Sequence, residues 1–124
     1  MSSGDIRITT VPHYLAEHST PDEQNYVFAY TITIQNHGSA SVQLLSRRWL
    51  ITDANGKVLE VEGEGVVGEQ PNIAPGAVFT YTSGVNLATP LGVMEGSYRL
   101  VKQDGSEFDT PIAPFRLSLP NLIN

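Results

Sequence analysis

The chain contains no cysteine, which excludes disulfide bonds and zinc sites built from thiolates. It also has little positive charge, because 7 lysine and arginine residues stand against 13 aspartate and glutamate residues, for a net charge of -6. Proteins that bind nucleic acids present a basic patch or stripe. This balance of charge therefore argues against a nucleic acid as the partner.

Long apolar runs are missing as well. No run approaches the roughly 20 apolar residues that a membrane-spanning helix needs, and residues 1–5 have neither the basic nor the apolar region of a signal peptide. No stretch longer than about ten residues repeats apolar side chains with the period of a helix. We therefore expect a single cytoplasmic domain of 124 residues with no membrane insertion and essentially no α-helix.

Alternating apolar and polar residues, which are typical of β-strands, do occur. The clearest alternation is at 26–35, where two tyrosines, a phenylalanine and two isoleucines share one face. Turn sequences separate weaker strand patterns at 6–11, 42–52, 58–62, 78–82, 94–102 and 107–119. About seven short antiparallel strands predict an all-β sandwich.

Three details refine this prediction. Pro12 follows the first strand pattern, which favours a strand at the edge of a sheet or a bulged strand. The alternation within 42–52 slips near residues 46–48, which predicts a bulge or a change of face. Residues 83–92 include Gly84, Pro90 and Gly92, and we interpret them as an irregular loop.

Gly63, Gly65 and Gly68 form the pattern G-x-G-x-x-G. In dinucleotide-binding proteins this pattern follows a strand and opens a helix that holds a pyrophosphate. Here Pro71 and Pro75 follow closely and oppose a helix, and neighbouring glutamates create a negative field. The favoured interpretation is backbone geometry: a positive φ, a bulge or a close approach of two chain segments. An anion-binding nest of amides in residues 63–69 remains the alternative.

Glu60, Glu62 and Glu64 would point to one side of an extended strand. Oxygen ligands suit hard cations such as Mg²⁺, but carboxylates two residues apart begin about 7 Å apart at their Cα atoms. A solvated acidic edge is the favoured interpretation, and we assign neither a metal site nor a cofactor.

No catalytic arrangement is visible in the sequence. Nucleophilic catalysis without cysteine needs a serine or threonine beside a base and an orienting group. The histidines at positions 13, 18 and 37 each lie beside a turn or loop and are interpreted as surface residues.

Arg47, Arg48 and Trp49 form the one cluster of basic and aromatic residues. On a strand Trp49 should share a face with Arg47, and the simplest interpretation places Trp49 in the core and Arg48 outward. The alternative is a contact surface for a protein partner, because Trp and Arg are common at the energetic centres of interfaces. Edge strands and residues 83–92 are further contact surfaces, including for strand addition or a homodimer.

Several longer segments carry a resemblance to a known family. They are Tyr-Thr-Ile-Thr-Ile-Gln-Asn-His-Gly at 30–38, Leu-Leu-Ser-Arg-Arg-Trp at 44–49, Gly-Val-Val-Gly-Glu-Gln-Pro at 65–71, and the segments at 81–84, 87–92, 94–98 and 114–117. Together they resemble the bacterial ApaG proteins over residues 6–119. Two positions depart from the family pattern, since Val85-Asn86 stands where Cys-Pro is frequent and Arg48 where a histidine is frequent.

The resemblance implies an immunoglobulin-like or fibronectin type III-like sandwich. It also implies a link, by name, to cobalt and magnesium resistance or efflux, and a similarity to domains of eukaryotic F-box proteins and of a polymerase-interacting protein that mediate protein contacts. We therefore predict a non-enzymatic binding module with a protein partner. The alternative is a protein that binds pyrophosphate, a nucleotide or a divalent metal through the glycine loop.

Overall fold

Eight strands make up most of the computed structural model, which describes residues 5–120. They are β1 Ile6–Tyr14, β2 Tyr26–Asn36, β3 Val42–Asp53, β4 Val58–Glu64, β5 Asn72–Ile73, β6 Val78–Leu87, β7 Leu91–Lys102 and β8 Glu107–Ser118. The predictions about a signal peptide and about a domain reaching both termini concern residues 1–4 and 121–124, which lie outside the described residues.

The strands form two antiparallel sheets. The smaller sheet has the order β1-β2-β6, and the larger has the order β4-β3-β7-β8 with β5 paired to the start of β3. β1 packs against β8 on one side of the sandwich, so β4 and β6 form the edges on the opposite side, which we call the open side. This architecture confirms the predicted all-β antiparallel sandwich.

Among the described residues, the helical elements are two short 3-10 turns at Ala16–His18 and Pro21–Glu23. Between residues 5 and 120, no helix has the length and apolar character required to cross a membrane. The prediction of essentially no α-helix is confirmed for this part of the chain.

β3 carries a bulge at Leu45, where its pairing with β7 shifts between Leu44 and Ser46. Because side chains alternate along a strand, one extra residue reverses the face of every residue that follows. Val42 and Leu44 point into the core before the bulge, and Trp49 and Ile51 do so after it. The slip in alternation that the sequence shows near this point is therefore a bulge.

Trp49 joins the two sheets at the centre of the core. Its side chain is only 2% exposed, and its ring lies edge-on to Tyr30 of the smaller sheet and to Tyr98 and Phe115 of the larger, with centroid distances of 5.4, 6.3 and 5.9 Å. Such edge-to-face pairs contribute about 0.5–1.5 kcal/mol each beyond the burial of their area. Trp49 is therefore a core residue, as its predicted position implied.

The prediction of an irregular loop at 83–92 is wrong. β6 continues to Leu87 and β7 begins at Leu91, because residues 83–87 extend the ladder with β2, where Gly84 pairs with Ala29 and Val85 with Phe28. Pro90 lies in the short turn between these strands. The two-residue strand β5 is too short to leave a pattern in the sequence.

Gly96 and Gly84 provide a matched test of backbone approach. A Cβ atom on Gly96 would lie 1.9 Å from the carbonyl oxygen of Arg48, whereas one on Gly84 would lie 3.5 Å from that of Phe28. We expect Gly96→Ala to lower the free energy of unfolding by about 1–3 kcal/mol and Gly84→Ala to change it by less than about 1 kcal/mol. Urea denaturation measures both, and equal losses would contradict the assignment of a close approach at Gly96.

Tyr81 and Tyr98 share a buried hydrogen bond between their hydroxyl groups. Burial raises the pKa of Tyr81 to about 12 and raises the pKa of Tyr98 as well. Unfolded tyrosine ionises near pH 10. The contribution of these two neutral tyrosines to the stability of the fold is therefore complete below pH 10 and is lost as the pH rises toward their folded pKa values. We expect the free energy of unfolding to fall by about 1.4 kcal/mol per pH unit for each such tyrosine above pH 10.

Denaturation at several alkaline pH values tests this dependence. Tyr81→Phe removes one ionising group, so its free energy of unfolding should fall less steeply with pH than that of the unsubstituted chain. Parallel pH profiles for the two proteins would rule out a buried, neutral Tyr81.

Candidate functional site

Arg47 reaches across the edge strand on the open side. It pairs with Gly63 of β4, and a Cβ atom on Gly63 would lie only 2.8 Å from Arg47 Nη1. Nη1 donates hydrogen bonds to the carbonyl oxygens of Glu64 at 3.2 Å and Gly65 at 2.9 Å. The sequence presented the Arg47–Trp49 cluster and the glycine loop as separate candidates, but Arg47 joins them.

The loop is also tied to the bulge of β3. The carbonyl oxygen of Leu45 accepts hydrogen bonds from the Gly65 amide at 2.8 Å and from Gln70 Nε2 at 2.9 Å. Gly65 has a φ of +64°, and a Cβ atom there would lie 2.3 Å from the carbonyl oxygen of Glu69. The bulge leaves the carbonyl oxygen of Leu45 without a partner in the β-ladder, and the loop supplies hydrogen-bond donors to it. The loop can adopt this shape only with glycine at position 65.

Residues 66–69 form a two-residue hairpin turn. Val66 and Glu69 exchange hydrogen bonds between their amides and carbonyl oxygens at 2.8 and 2.9 Å, and Val67 and Gly68 both have positive φ, at 44° and 81°. This is the pattern of a type I′ turn, which favours Asn-Gly. A β-branched valine in the first central position is an outlier, and Val67 is also 53% exposed.

These contacts bear on whether the loop can bind an anion. A phosphate nest needs free backbone amides that converge on one point, but the amides of Gly65, Val66 and Glu69 are already bonded within the protein. No helix follows Gly68 within the described residues, and Glu64 and Glu69 line the shallow cavity beside the loop. The geometry favours the interpretation that Gly63, Gly65 and Gly68 serve the backbone.

Arg48 points to the outer face of the larger sheet. Arg48 Nε lies 2.9 Å from Glu60 Oε2 and 3.4 Å from Glu62 Oε1, and this contact lowers the pKa of the Glu60 carboxyl. Arg99 is similarly placed 3.1 Å from Glu107 and 3.3 Å from Asp109. Pairs this exposed contribute little to stability, but they neutralise both arginines.

An open groove of about 470 Å³ lies between these two ion-pair groups. Its lining includes three arginines, at 47, 48 and 99, and three carboxylates, at 62, 64 and 109. The opposite charges balance in number, so the groove has no excess of positive charge that would select an anion.

The acidic strand and the histidines do not form a metal centre in the described part of the chain. Glu60, Glu62 and Glu64 are exposed on the outer face of β4, as expected for a solvated acidic edge. No group of three or more His, Asp or Glu side chains between residues 5 and 120 could hold a metal ion. His13, His18 and His37 are all exposed.

The inner face of β4 is a feature that the sequence analysis missed. Leu59 and Val61 pair with Ile51 and Trp49 of β3 and therefore face inward, yet Leu59 is 55% exposed because β6 does not cover it. A groove of about 220 Å³ lies here. Its lining combines apolar residues with a charged and polar rim: Ile51, Leu59, Leu87 and Ala88, with Asp53, Lys57 and Asn86. The signal in the sequence was two apolar residues alternating with glutamates in the predicted strand at 58–62.

The chain is similar to proteins with the name ApaG. A family model described as the ApaG domain matches residues 16–102. Protein ApaG of Photobacterium profundum is 56% identical over 119 residues, which cover 96% of this chain and 94% of the relative. Protein ApaG of Vibrio vulnificus is 55% identical over 124 residues, which cover 100% and 98%.

Two solved structures share the fold over nearly the whole chain. A crystal structure of an ApaA protein from Bordetella pertussis has a TM-score of 0.92 at 50% identity and covers 94% of this chain and 95% of its own. A second X-ray structure, a structural-genomics target, has a TM-score of 0.93 at 46% identity and covers 98% and 92%.

The unusual backbone at Val67 leads to a prediction about stability. Positive φ at a β-branched residue stores strain of about 1–3 kcal/mol, and asparagine tolerates this conformation. We expect Val67→Asn to raise the free energy of unfolding by about 1 kcal/mol, measured by urea denaturation. Val58→Asn, at an equally exposed valine in an extended strand, is the control and should give no gain. A similar gain in both variants would mean that the replacement of an exposed apolar side chain by a polar one, and not the relief of backbone strain, is responsible.

Proposed function

The chain belongs to the ApaG domain family, and on that premise we propose that it is a non-enzymatic module that binds another protein through the open side of the sandwich. The observation that carries the proposal is the uncovered inner face of β4. Leu59 on this face is 55% exposed and Val61 is only half-buried, although both belong to a strand of the core sheet. Exposed apolar surface with a polar rim is typical of interaction sites.

The size of the apolar groove beside Leu59 favours a protein partner over a small ligand at that groove. Small-molecule sites usually have volumes of about 300–1,000 Å³ and are more enclosed, whereas the apolar groove holds about 220 Å³. That space suits one or two side chains of a partner. The small-ligand alternative at residues 63–69 gains no support from the loop, whose amides at Gly65, Val66 and Glu69 are internally bonded.

The strand order also supports a binding role. If the seven long strands are lettered A, B, C, C′, E, F and G, the sheets have the orders A-B-E and C′-C-F-G, and we propose that this reflects the immunoglobulin-like or fibronectin type III-like sandwich that the resemblance implies. Cell-surface and adaptor domains of this architecture present their edges and loops to partners. We expect the partner of this chain to be a cytoplasmic protein.

Crosslinking in cells tests the proposal. A photo-reactive amino acid placed at Arg48, Leu59 or Val78 should give a discrete adduct with another protein at one or more of these positions, because all three lie on or beside the edges of the open side. The same residue at Gln103, in the turn after β7, is the control. The adduct identifies the partner, and binding is then measured with the two purified proteins.

Two results would contradict this function. One is a pattern of adducts at the three edge positions that is the same as at Gln103. The other is a purified partner that binds with equal affinity when the open side carries Arg48→Ala together with Leu59→Asp.

A further inference from the structure

We infer that the open side binds an extended peptide segment of the partner, which adds to β6 as a fourth strand and carries an apolar side chain and, four residues away, a carboxylate. This inference rests on the proposed function and specifies the ligand of the same surface. It follows from three features of the open side: a sheet edge, an apolar pocket and a cation.

The sheet edge belongs to β6. Within the described residues β6 pairs with β2 alone, so one side of its ten-residue ladder (Val78–Leu87) is open. The opposite sheet has four long strands in its order, whereas the sheet of β6 has three. β4 therefore extends beyond β6, and a strand added to β6 would lie opposite the inner face of β4. Addition of a strand to an open edge gains affinity from main-chain hydrogen bonds and specificity from alternate side chains.

The apolar pocket lies at one end of the space that a strand added to β6 would occupy. Ile51 and Leu87 are buried, at 7% and 5% exposed, whereas Leu59 in the same lining is 55% exposed. Asp53 and Lys57 line the rim of this pocket. An apolar side chain that points inward from an added strand would cover Leu59. Removing this apolar surface from water would favour the complex.

The cation lies at the other end. Arg47 is half-buried, and its guanidinium donates to two carbonyl oxygens, of Glu64 and Gly65. Between residues 5 and 120 it has no salt bridge, in contrast to Arg48 and Arg99, which each have two. A partly desolvated arginine without a carboxylate favours one on the ligand.

The register of β3 and β4 sets the spacing between the two ends. Ile51 pairs with Leu59, and Arg47 pairs with Gly63, so the pocket and the cation are four residues apart on the same face. At about 3.3 Å per residue this is about 13 Å. An extended peptide spans the same distance in four residues, and residues an even number apart share a face.

A second copy of the chain fits this surface less well. If two copies paired through β6, the added strand would be β6 itself, whose sequence Val78–Leu87 contains no Asp or Glu. Arg47 would then have no carboxylate partner. The carboxylates of β4 lie on its outer face, beside Arg48, and are directed away from the groove.

The first experiment is selection from a library of random peptides displayed on phage, with the full chain as the immobilised target. We expect enriched sequences with Leu, Ile, Val or Phe and with Asp or Glu four residues away. One enriched peptide is then titrated into the isotope-labelled chain. The amide resonances of Val78–Leu87, Leu59 and Val61 should shift, and those of β1 should not.

Variants test the apolar pocket and Arg47 separately. Leu59→Asp should weaken binding of the peptide tenfold or more, because the apolar side chain of the peptide would no longer be buried against Leu59. Arg47→Gln should remove the preference for the acidic peptide over its amide form, and Arg47→Lys should keep it. Val11→Asp, at a residue 57% exposed on β1, is the control and should bind as the unsubstituted chain does.

Several results would overturn this inference. They are a library that yields no enriched sequence, resonance shifts confined to the outer face around Arg48 and Arg99, or a Leu59→Asp variant with unchanged affinity. A dimer in sedimentation that Leu59→Asp dissociates would assign the groove to a second copy and would equally overturn it. If a partner is crosslinked in cells through Arg48 while no peptide binds the groove, the proposed function stands and this inference fails.

Discussion

The bulge at Leu45 is the constraint on which the rest of the sandwich depends. Without the extra residue, a strand that buries Val42 and Leu44 would turn Trp49 to solvent and Arg48 into the core. Burying an unpaired guanidinium costs several kcal/mol. The core would also lose the edge-on contacts of Trp49 with three aromatic rings, one of which, Tyr30, belongs to the opposite sheet. The bulge therefore decides which side chains join the sheets.

A bulge leaves backbone groups without ladder partners, and the glycine loop satisfies one of them. The carbonyl oxygen of Leu45 accepts two hydrogen bonds from the loop, from the Gly65 amide and the Gln70 side chain, while Arg47 returns two to the loop carbonyls. The change of face caused by the bulge is also what directs Arg47 inward, over Gly63. Each glycine of the G-x-G-x-x-G spacing thus meets a demand of the local structure: room for a guanidinium at Gly63 and positive φ at Gly65 and Gly68.

Local pattern was enough to predict the strands whose alternation is strong, such as β2, and to locate the bulge of β3. It failed at residues 83–87, because Ser83 and Gly84 have low strand propensity and are held in place by the ladder with β2. It also could not show that Arg47 contacts the glycine loop, since that contact depends on the register between β3 and β4. The exposure of Leu59 was hidden for a related reason: it depends on how far the opposite sheet extends, which no segment of β4 encodes.

The two edges of the open side differ in how they resist unwanted pairing. On β4, Glu60, Glu62 and Glu64 project from the outer face, and charge on an edge strand discourages association of sheets. β6 has no charged residue in Val78–Leu87, so its open ladder has no such protection of its own. The position of β4, which extends beyond β6, restricts pairing at the open edge of β6, because a strand added there would lie opposite the inner face of β4. If the open side binds the extended peptide that we infer, the inward side chains of that peptide would cover Leu59 at one end and pair with Arg47 at the other. This double requirement would make the open edge selective.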